Sequence, residues 1–257
     1  MAIVHYYKQY TETLGAMLDR FKKEFPEYEN EKITYAGRLD PMAEGEIILL
    51  TGQDVHKKDD FTAFPKIYEA SFVLGFDTDT HDILGQVKRV SNTTAIKPDL
   101  VKKLVEDLAG EHSLPYPVFS SKTVQGKPLF MWAREGKLSE IEIPMRKMHV
   151  GEIELLGHHT TKKEPFWTSI FDAIDLVDGD FRQDEIIESW NNTFEGSDDE
   201  LQIYNIRAQV SSGTYIRSLI HLLGEKLGCG ACSIQITRIG YVLDQVKESQ
   251  KNIDNID

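Results

Sequence analysis

Two cysteines in 257 residues leave no material for a disulfide framework, so a reducing, cytoplasmic setting is expected. No apolar run approaches the roughly 18 residues of a membrane-spanning helix, and no basic-then-apolar leader opens the chain. No partner in a membrane is therefore expected. Low-complexity tracts are also missing. With 40% hydrophobic and 28% charged residues, the composition is that of a globular domain able to bury a full core. Cys229-Gly230-Ala231-Cys232 has the spacing of a redox motif. It closes a helical pattern rather than opening one, and no second pair completes a zinc site, so neither redox nor metal chemistry is expected there.

Basic charge is the other shortage. The net charge is −13, against the positive surface that phosphate recognition ordinarily requires. Its distribution matters more than its sum. Residues 164–200 hold twelve Asp or Glu and the single base Arg182, which accounts for −11 and leaves the rest of the chain at −2. A nearly balanced body can carry a basic face, and Lys122, Lys127, Arg134 and Lys137 cluster in sequence. The acidic stretch also carries Phe166, Trp167, Ile170, Phe171, Ile174, Ile186, Ile187 and Trp190, enough apolar surface for a folded add-on. It is expected to lie away from any phosphate-binding cleft and is a candidate dock for a basic protein.

Along the chain, Leu14, Met17, Leu18, Phe21 and Phe25 share one helical face. Ile47-Ile48-Leu49-Leu50 reads as a short buried strand, and Tyr68, Ala70, Phe72 and Leu74 alternate on one face of another. A helix is expected at 98–109, ended by Gly110. The stretch 112–140 is broken by Pro115, Pro117 and Pro128, and interleaves bases with aromatics. Strands are expected at 150–156, 168–177 and 201–210, and a helix near 182–193. A last helix, capped by Ser212 or Thr214, buries Ile216, Leu219, Ile220, Leu223 and Leu227 and stops at Gly228. Arg217 falls in its first turn, where a cation opposes the helix dipole and calls for a carboxylate partner; Asp40 is the candidate.

Asp40 lies in Gly37-Arg38-Leu39-Asp40-Pro41-Met42-Ala43-Glu44-Gly45, a tight loop feeding the apolar strand. Gly37 and Gly45 permit backbone angles other residues resist, and Pro41 keeps Asp40 extended. A turn Asp ordinarily bonds its own backbone. The loop, however, resembles the catalytic motif of the TruB family of pseudouridine synthases, Gly-x-Leu-Asp-Pro-x-Ala-x-Gly. The likeness continues in order through Lys66-Ile67-Tyr68-Glu69-Ala70 and the loop Gly75 to Gly85 with Thr78-Asp79-Thr80-His81-Asp82. It runs on through Pro117 to Gly136, Gly213-Thr214-Tyr215-Ile216-Arg217, and Thr237-Arg238-Ile239-Gly240.

The resemblance implies an α+β pseudouridine synthase fold: a central, mostly antiparallel mixed sheet with flanking helices and loops and an RNA-gripping insertion. It implies one catalytic domain over 1–257, with a thumb-like RNA-binding insertion at 112–140 and an acidic insertion at 161–200. It implies isomerisation of the T-loop uridine of tRNA (position 55) by a monomer that grips the T-arm stem-loop, with no metal or organic cofactor. Asp40 is then the catalytic carboxylate, Tyr68 the ring against the base, and Arg217 the partner of Asp40. Tyr35, Arg38, Asp79, Lys122, Lys127 and Arg134 are the expected RNA contacts. Tyr35 stands where TruB chains usually carry His, and Arg38 where they carry a small residue, as in related ribosomal synthases. Only about 17 residues follow Gly240, so no C-terminal PUA domain is expected. The alternatives are a non-catalytic RNA-binding or tRNA-folding factor on the same scaffold, or a synthase with another RNA target.

Overall fold

The computed structural model describes residues 3–194 and 200–242. Its elements run β1 (Ile3–Lys8), α1 (Leu14–Glu24), β2 (Ile33–Ala36), β3 (Ala43–Thr51), α2 (Lys58–Thr62), β4 (Lys66–Leu74), β5 (Phe76–Thr78) and β6 (Val87–Val90). Then follow α3 (Pro98–Glu106), β7 (Gly110–Pro115), the small hairpin β8 (Thr123–Val124) and β9 (Lys127–Pro128), and α4 (Leu129–Arg134). The chain continues through β10 (Met145–Lys162), α5 (Lys163–Asp175), α6 (Gln183–Phe194), β11 (Glu200–Val210), α7 (Ile216–Leu227) and β12 (Ala231–Tyr241).

The fold is α+β around an eight-stranded sheet ordered β1-β3-β12-β4-β11-β10-β7, with β2 also on β3. Every described pairing in it is antiparallel except β3 with β12. Residues 48–51 of β3 pair with β2, whereas residues 43–45 pair with β12. Thus one edge of β3 exchanges neighbours midway. The segment Gly37 to Met42 leaves the sheet at that exchange, held at its base by two strands instead of swinging as an ordinary hairpin tip.

Alternation sorts the core. Tyr68, Ala70, Phe72 and Leu74 of β4 pack with Tyr204 and Ile206 of β11 under α3 and α7. Val73 and Ile203, on the opposite face, pack with Phe166, Ile170, Ile174, Ile186 and Trp190 of α5 and α6. The acidic insertion is therefore a second layer on the sheet. Fully burying a side chain the size of Ile170 or Ile174 contributes about 1.5–3 kcal/mol, so this layer is part of the core. A third cluster seats Met17 and Phe21 of α1 on Ile47 and Leu49 of β3.

Three local expectations are corrected. The strand expected at 168–177 is the helix α5, because Phe166, Ile170, Ala173 and Ile174 are buried at helical spacing. The stretch 112–140 is not irregular throughout; it holds most of β7, the β8–β9 hairpin and α4. Neither Ser212 nor Thr214 caps α7: Tyr215 occupies the N-cap position without a side-chain bond. The Ser212 hydroxyl instead donates to the Thr62 carbonyl at 2.5 Å. Gly228 does end α7, with φ of 73° in the left-handed region.

Lys8 anchors the whole arrangement from beneath. It is fully buried, and Nζ donates to the carbonyls of Ala43 at 2.6 Å, Gln9 at 3.0 Å and Pro41 at 3.5 Å. Burial pushes its amine down to about 8, against the pull of Glu12 and Asp40. Lys8→Met removes the donor to the buried Ala43 carbonyl, while the Pro41 and Gln9 carbonyls keep their bonds from Thr11 N and Glu12 N. It should cost about 1–3 kcal/mol, read as a fall in Tm of roughly 2–4 °C per kcal/mol for a domain of this size. A Tm within 1 °C of wild type would show that water replaces the ammonium without loss.

Candidate active site

Asp40 sits on the Gly37–Met42 segment, and Arg217 on the first turn of α7. The guanidinium Nε donates to Asp40 Oδ2 at 2.8 Å. Nη1 donates to the Thr80 carbonyl at 2.7 Å and Nη2 to the Phe119 carbonyl at 2.9 Å. Asp82 Oδ2 lies 3.8 Å from Nε. The Arg217 side chain is 2% exposed and that of Asp40 37%. A buried cation thus grips one oxygen of a carboxylate that still meets solvent. Burial opposes the charge on Arg217, but Asp40 and Asp82 outweigh it and hold its pKa above the ordinary value. Asp82 is wholly enclosed, and burial raises its carboxyl to about 6 despite Arg217 and Thr80.

The loop around Asp40 is fixed by close approach. Gly45 has φ of +119°, and a Cβ there would lie 2.2 Å from the Arg238 carbonyl oxygen. Only glycine lets β3 and β12 pair at this point. Buried Arg238 donates from Nε to the Glu46 carbonyl at 2.6 Å, and from both terminal nitrogens to the Gly37 carbonyl at 3.3 Å. Thr11 N donates to the Pro41 carbonyl at 2.9 Å.

Around this pair opens a cleft of about 710 Å³, within the usual range for a ligand site. Tyr68, Tyr116, Phe119, Phe130, Phe181 and Tyr215 supply ring faces along its wall. The lining residues include eight Lys or Arg against the three acids Asp40, Asp82 and Asp180. Eight of the chain's 29 Lys and Arg line this cleft against three acids, so a net charge of −13 coexists with a locally basic concavity.

The structure brings Asp40, Tyr68, Arg217, Arg38, Lys122 and Arg134 to this cleft. Tyr35, Asp79 and Lys127 are not among its lining residues. The Tyr35 ring packs on the α1 cluster, with Arg38 5.9 Å from its centroid. Asp79 is committed elsewhere: it accepts from Gln86 N at 2.9 Å and pairs with Arg182 Nη1 at 2.8 Å. Lys127 pairs with Glu135 at 2.8 Å and lies 3.7 Å from the Trp132 ring centroid.

The placement of the acidic insertion away from the cleft is overturned. Its helices do lie on the other sheet face, but their connection brings Asp180, Phe181 and Arg182 into the cleft wall. Asp180 pairs with Arg134 Nη1 at 3.1 Å, and Arg182 lies 4.0 Å from the centroid of Phe119. The helix α6 also braces the loop after β5, with Trp190 Nε1 donating to the Ile83 carbonyl at 3.2 Å. Distance along the chain said nothing of this return. Sequence reasoning also assigned no role to Lys8, Asp82, Arg146, Tyr215 or Arg238. Asp82 and Arg238 stood inside quoted motifs, whereas Lys8 opened a segment whose following residues departed from the family pattern.

Comparisons with known proteins agree with this geometry. Residues 23–168 match the family model described as TruB family pseudouridylate synthase, N-terminal domain. The tRNA pseudouridine synthase B of Caldicellulosiruptor saccharolyticus is 30% identical over 207 residues, covering 80% of this chain and 57% of that protein. That of Parabacteroides distasonis is 27% identical over 258 residues, covering 98% of this chain and 92% of its own length. The chain thus spans little more than half of some relatives and nearly all of another. A chain in the crystal structure of a Cbf5–Nop10–Gar1 complex superposes with a TM-score of 0.52 at 18% identity, covering 93% of this chain and 48% of that one. At that identity the likeness speaks for the fold alone. With the family model matched over more than half of its length, the chain belongs to the TruB family of pseudouridylate synthases.

Proposed function

We propose that this chain converts uridine to pseudouridine in RNA, with the T-loop uridine of tRNA (position 55) as its substrate. The observation that carries the reading is the Asp40–Arg217 pair. One carboxylate oxygen is fixed by a buried guanidinium, on a loop fixed by two strands, facing an aromatic, basic cleft. The reaction breaks the bond from ribose C1′ to N1, turns the uracil, and joins C1′ to C5. C5 loses its proton and N1 gains one, so no electron acceptor or phosphoryl donor is required.

The base must leave its stack to reach Asp40, at a cost of a few kcal/mol that a strained loop lowers. The solvent-facing cationic side chains of the cleft, Arg38 and Lys122 among them, draw the phosphates in. Tyr68 gives the detached uracil a flat surface, so that it turns without escaping. Arg217 keeps Asp40 oriented through both half-reactions, since a charge-assisted bond made before the substrate arrives needs no rearrangement. Names borne by the relatives support tRNA as the substrate.

Asp40→Asn should abolish pseudouridine formation in unmodified tRNA, mapped chemically, while leaving tRNA affinity within about threefold, since no phosphate contact is removed. Conversion surviving at a tenth of the wild-type rate would take Asp40 out of the reaction. Tight binding by the wild type without any conversion would favour an RNA-folding factor.

A second expectation follows from Asp82, which titrates at about 6 in the fold against 3.8 ordinarily. The folded chain binds this proton more tightly than the unfolded one. The group's contribution to stability is therefore full below 3.8 and is lost as pH rises through about 6. In urea titrations, the stability of Asp82→Asn relative to wild type should climb over that window. Parallel curves for the two proteins would refute it.

The third concerns the Arg134–Asp180 pair. Asp180→Ala removes an acid from the cleft rim and leaves Arg134 held there only by the backbone carbonyl of that position, and should tighten RNA binding by roughly 1.5- to 5-fold at low salt, the range an exposed pair supports. The gain should vanish at high salt. Unchanged affinity at both salt concentrations would mean that Arg134 does not meet the RNA.

A further inference from the structure

Behind the Arg217–Asp40 pair, three ligand-type side chains converge that the proposed reaction does not use. Asp77 comes from β5, His81 from the loop after it, and His221 from α7. Asp77 Oδ1, His81 Nδ1 and His221 Nδ1 all lie within 4.8 Å of one another. Asp77 Oδ1 is 3.1 Å from His221 Nδ1 and 3.8 Å from His81 Nδ1. All three atoms are buried, and Asp77 Oδ1 contacts both imidazoles without a well-aligned hydrogen bond. Buried polar atoms in that condition are rare and call for a partner. The two imidazoles stack with ring centroids 3.8 Å apart, which keeps both Nδ1 atoms on the same side.

We propose that these three residues bind a divalent transition-metal ion, zinc being the best match, with water completing the shell. Ligand atoms at about 2.0–2.1 Å from zinc lie roughly 3.0–3.4 Å apart in octahedral or tetrahedral geometry; to reach it one imidazole must turn out of the stack, because near-parallel rings cannot both aim in-plane lone pairs at one ion. Two imidazoles and a carboxylate are a donor set suited to this class of metal. The side chains are 20–27% exposed, leaving a path for the ion and its water. Charge favours it too. Asp40 and Asp82 flank the single guanidinium of Arg217, so with Asp77 the region carries two uncompensated negative charges. Burial lowers the pKa of His81 toward the neutral, ligating form. At Asp77 burial favours the neutral acid, but the two imidazoles outweigh it and hold the carboxyl well below the usual range.

The ion would act as a clamp and take no part in the chemistry. His221 stands one helical turn after Arg217. His81 follows Thr80, whose carbonyl accepts from Arg217 Nη1. Metal at this point ties the β5–β6 loop to α7 and holds the two anchors of Arg217 at a fixed separation. His81 has φ of 65°, and its carbonyl accepts from Ser233 N at 3.1 Å, so the loop is already shaped to present the ring.

The test uses the full chain after chelator dialysis, titrated with Co²⁺ and followed by visible absorption, with Zn²⁺ as competitor and Tm as second readout. One Co²⁺ per chain should bind with a nitrogen and oxygen spectrum, be displaced by Zn²⁺, and raise Tm. His221→Ala and Asp77→Asn should each weaken binding on the order of a hundredfold or more, since even partners one bond removed from a metal ligand cost 10–100-fold. A double substitution of Cys229 and Cys232 by Ser should change nothing. Should the ligand variants not fold, the wild type still decides, through one Co²⁺ bound per chain, its displacement by Zn²⁺ and the accompanying rise in Tm. Absence of stoichiometric binding, a sulfur-to-metal absorption band, or affinity indifferent to loss of His221 would each overturn the site.

Discussion

Arg217 is a guanidinium taken almost wholly out of water, and the site follows from how that cost is met. Its nitrogens reach the Asp40 carboxylate, the Thr80 carbonyl and the Phe119 carbonyl, three segments that share no secondary structure. An arginine cannot shed its proton to escape burial, so it must find acceptors in several directions. The planar fork makes each of them positionally strict. The loop carrying Asp40, the acid-rich loop after β5 and the segment around Phe119 are thereby brought to one point. Removing the arginine would loosen all three at once.

Two further buried cations repeat the device from below. Lys8 draws the carbonyls of Gln9, Pro41 and Ala43 together, and Arg238 holds those of Gly37 and Glu46. The loop carrying Asp40 is thus pinned through its backbone, and its carboxylate remains free to face the cleft. Positional accuracy in such a site comes from what stands behind the reacting group.

The acidic insertion shows how charge and place separate. Its helices cover an apolar sheet face, so they belong to the core. Their connection contributes one acid and one arginine to the cleft rim, where Asp180 meets Arg134 and Arg182 meets Asp79. A segment that repels phosphate on average therefore still supplies a cation over Phe119.

Much of this was legible in the chain. Periodicity marked β4, β11, α1, α3 and α7, because each buries one face and the spacing of apolar residues records which face. The motif around Asp40 and the position of Arg217 in a first helical turn identified the central pair. Local rules failed where another partner outbid them. Ser212 spends its hydroxyl on Thr62 rather than capping α7, and α5 contains strand-prone residues at helical spacing. Asp79, expected as an RNA contact, is held by Arg182 from 103 positions along the chain, whereas Lys127 pairs locally with Glu135.

The sequence by itself determined the residue types, the two faces of each element and the order of motifs, since these depend on interactions a few residues apart. Tertiary structure alone decided which polar groups meet. The return of Asp180 and Arg182 to the cleft, the exchange of β2 for β12 beside β3, and the convergence of Asp77, His81 and His221 join residues up to two hundred positions apart. Such contacts are set by how apolar faces stack and by where buried charges must find partners, and neither leaves a local pattern in the chain.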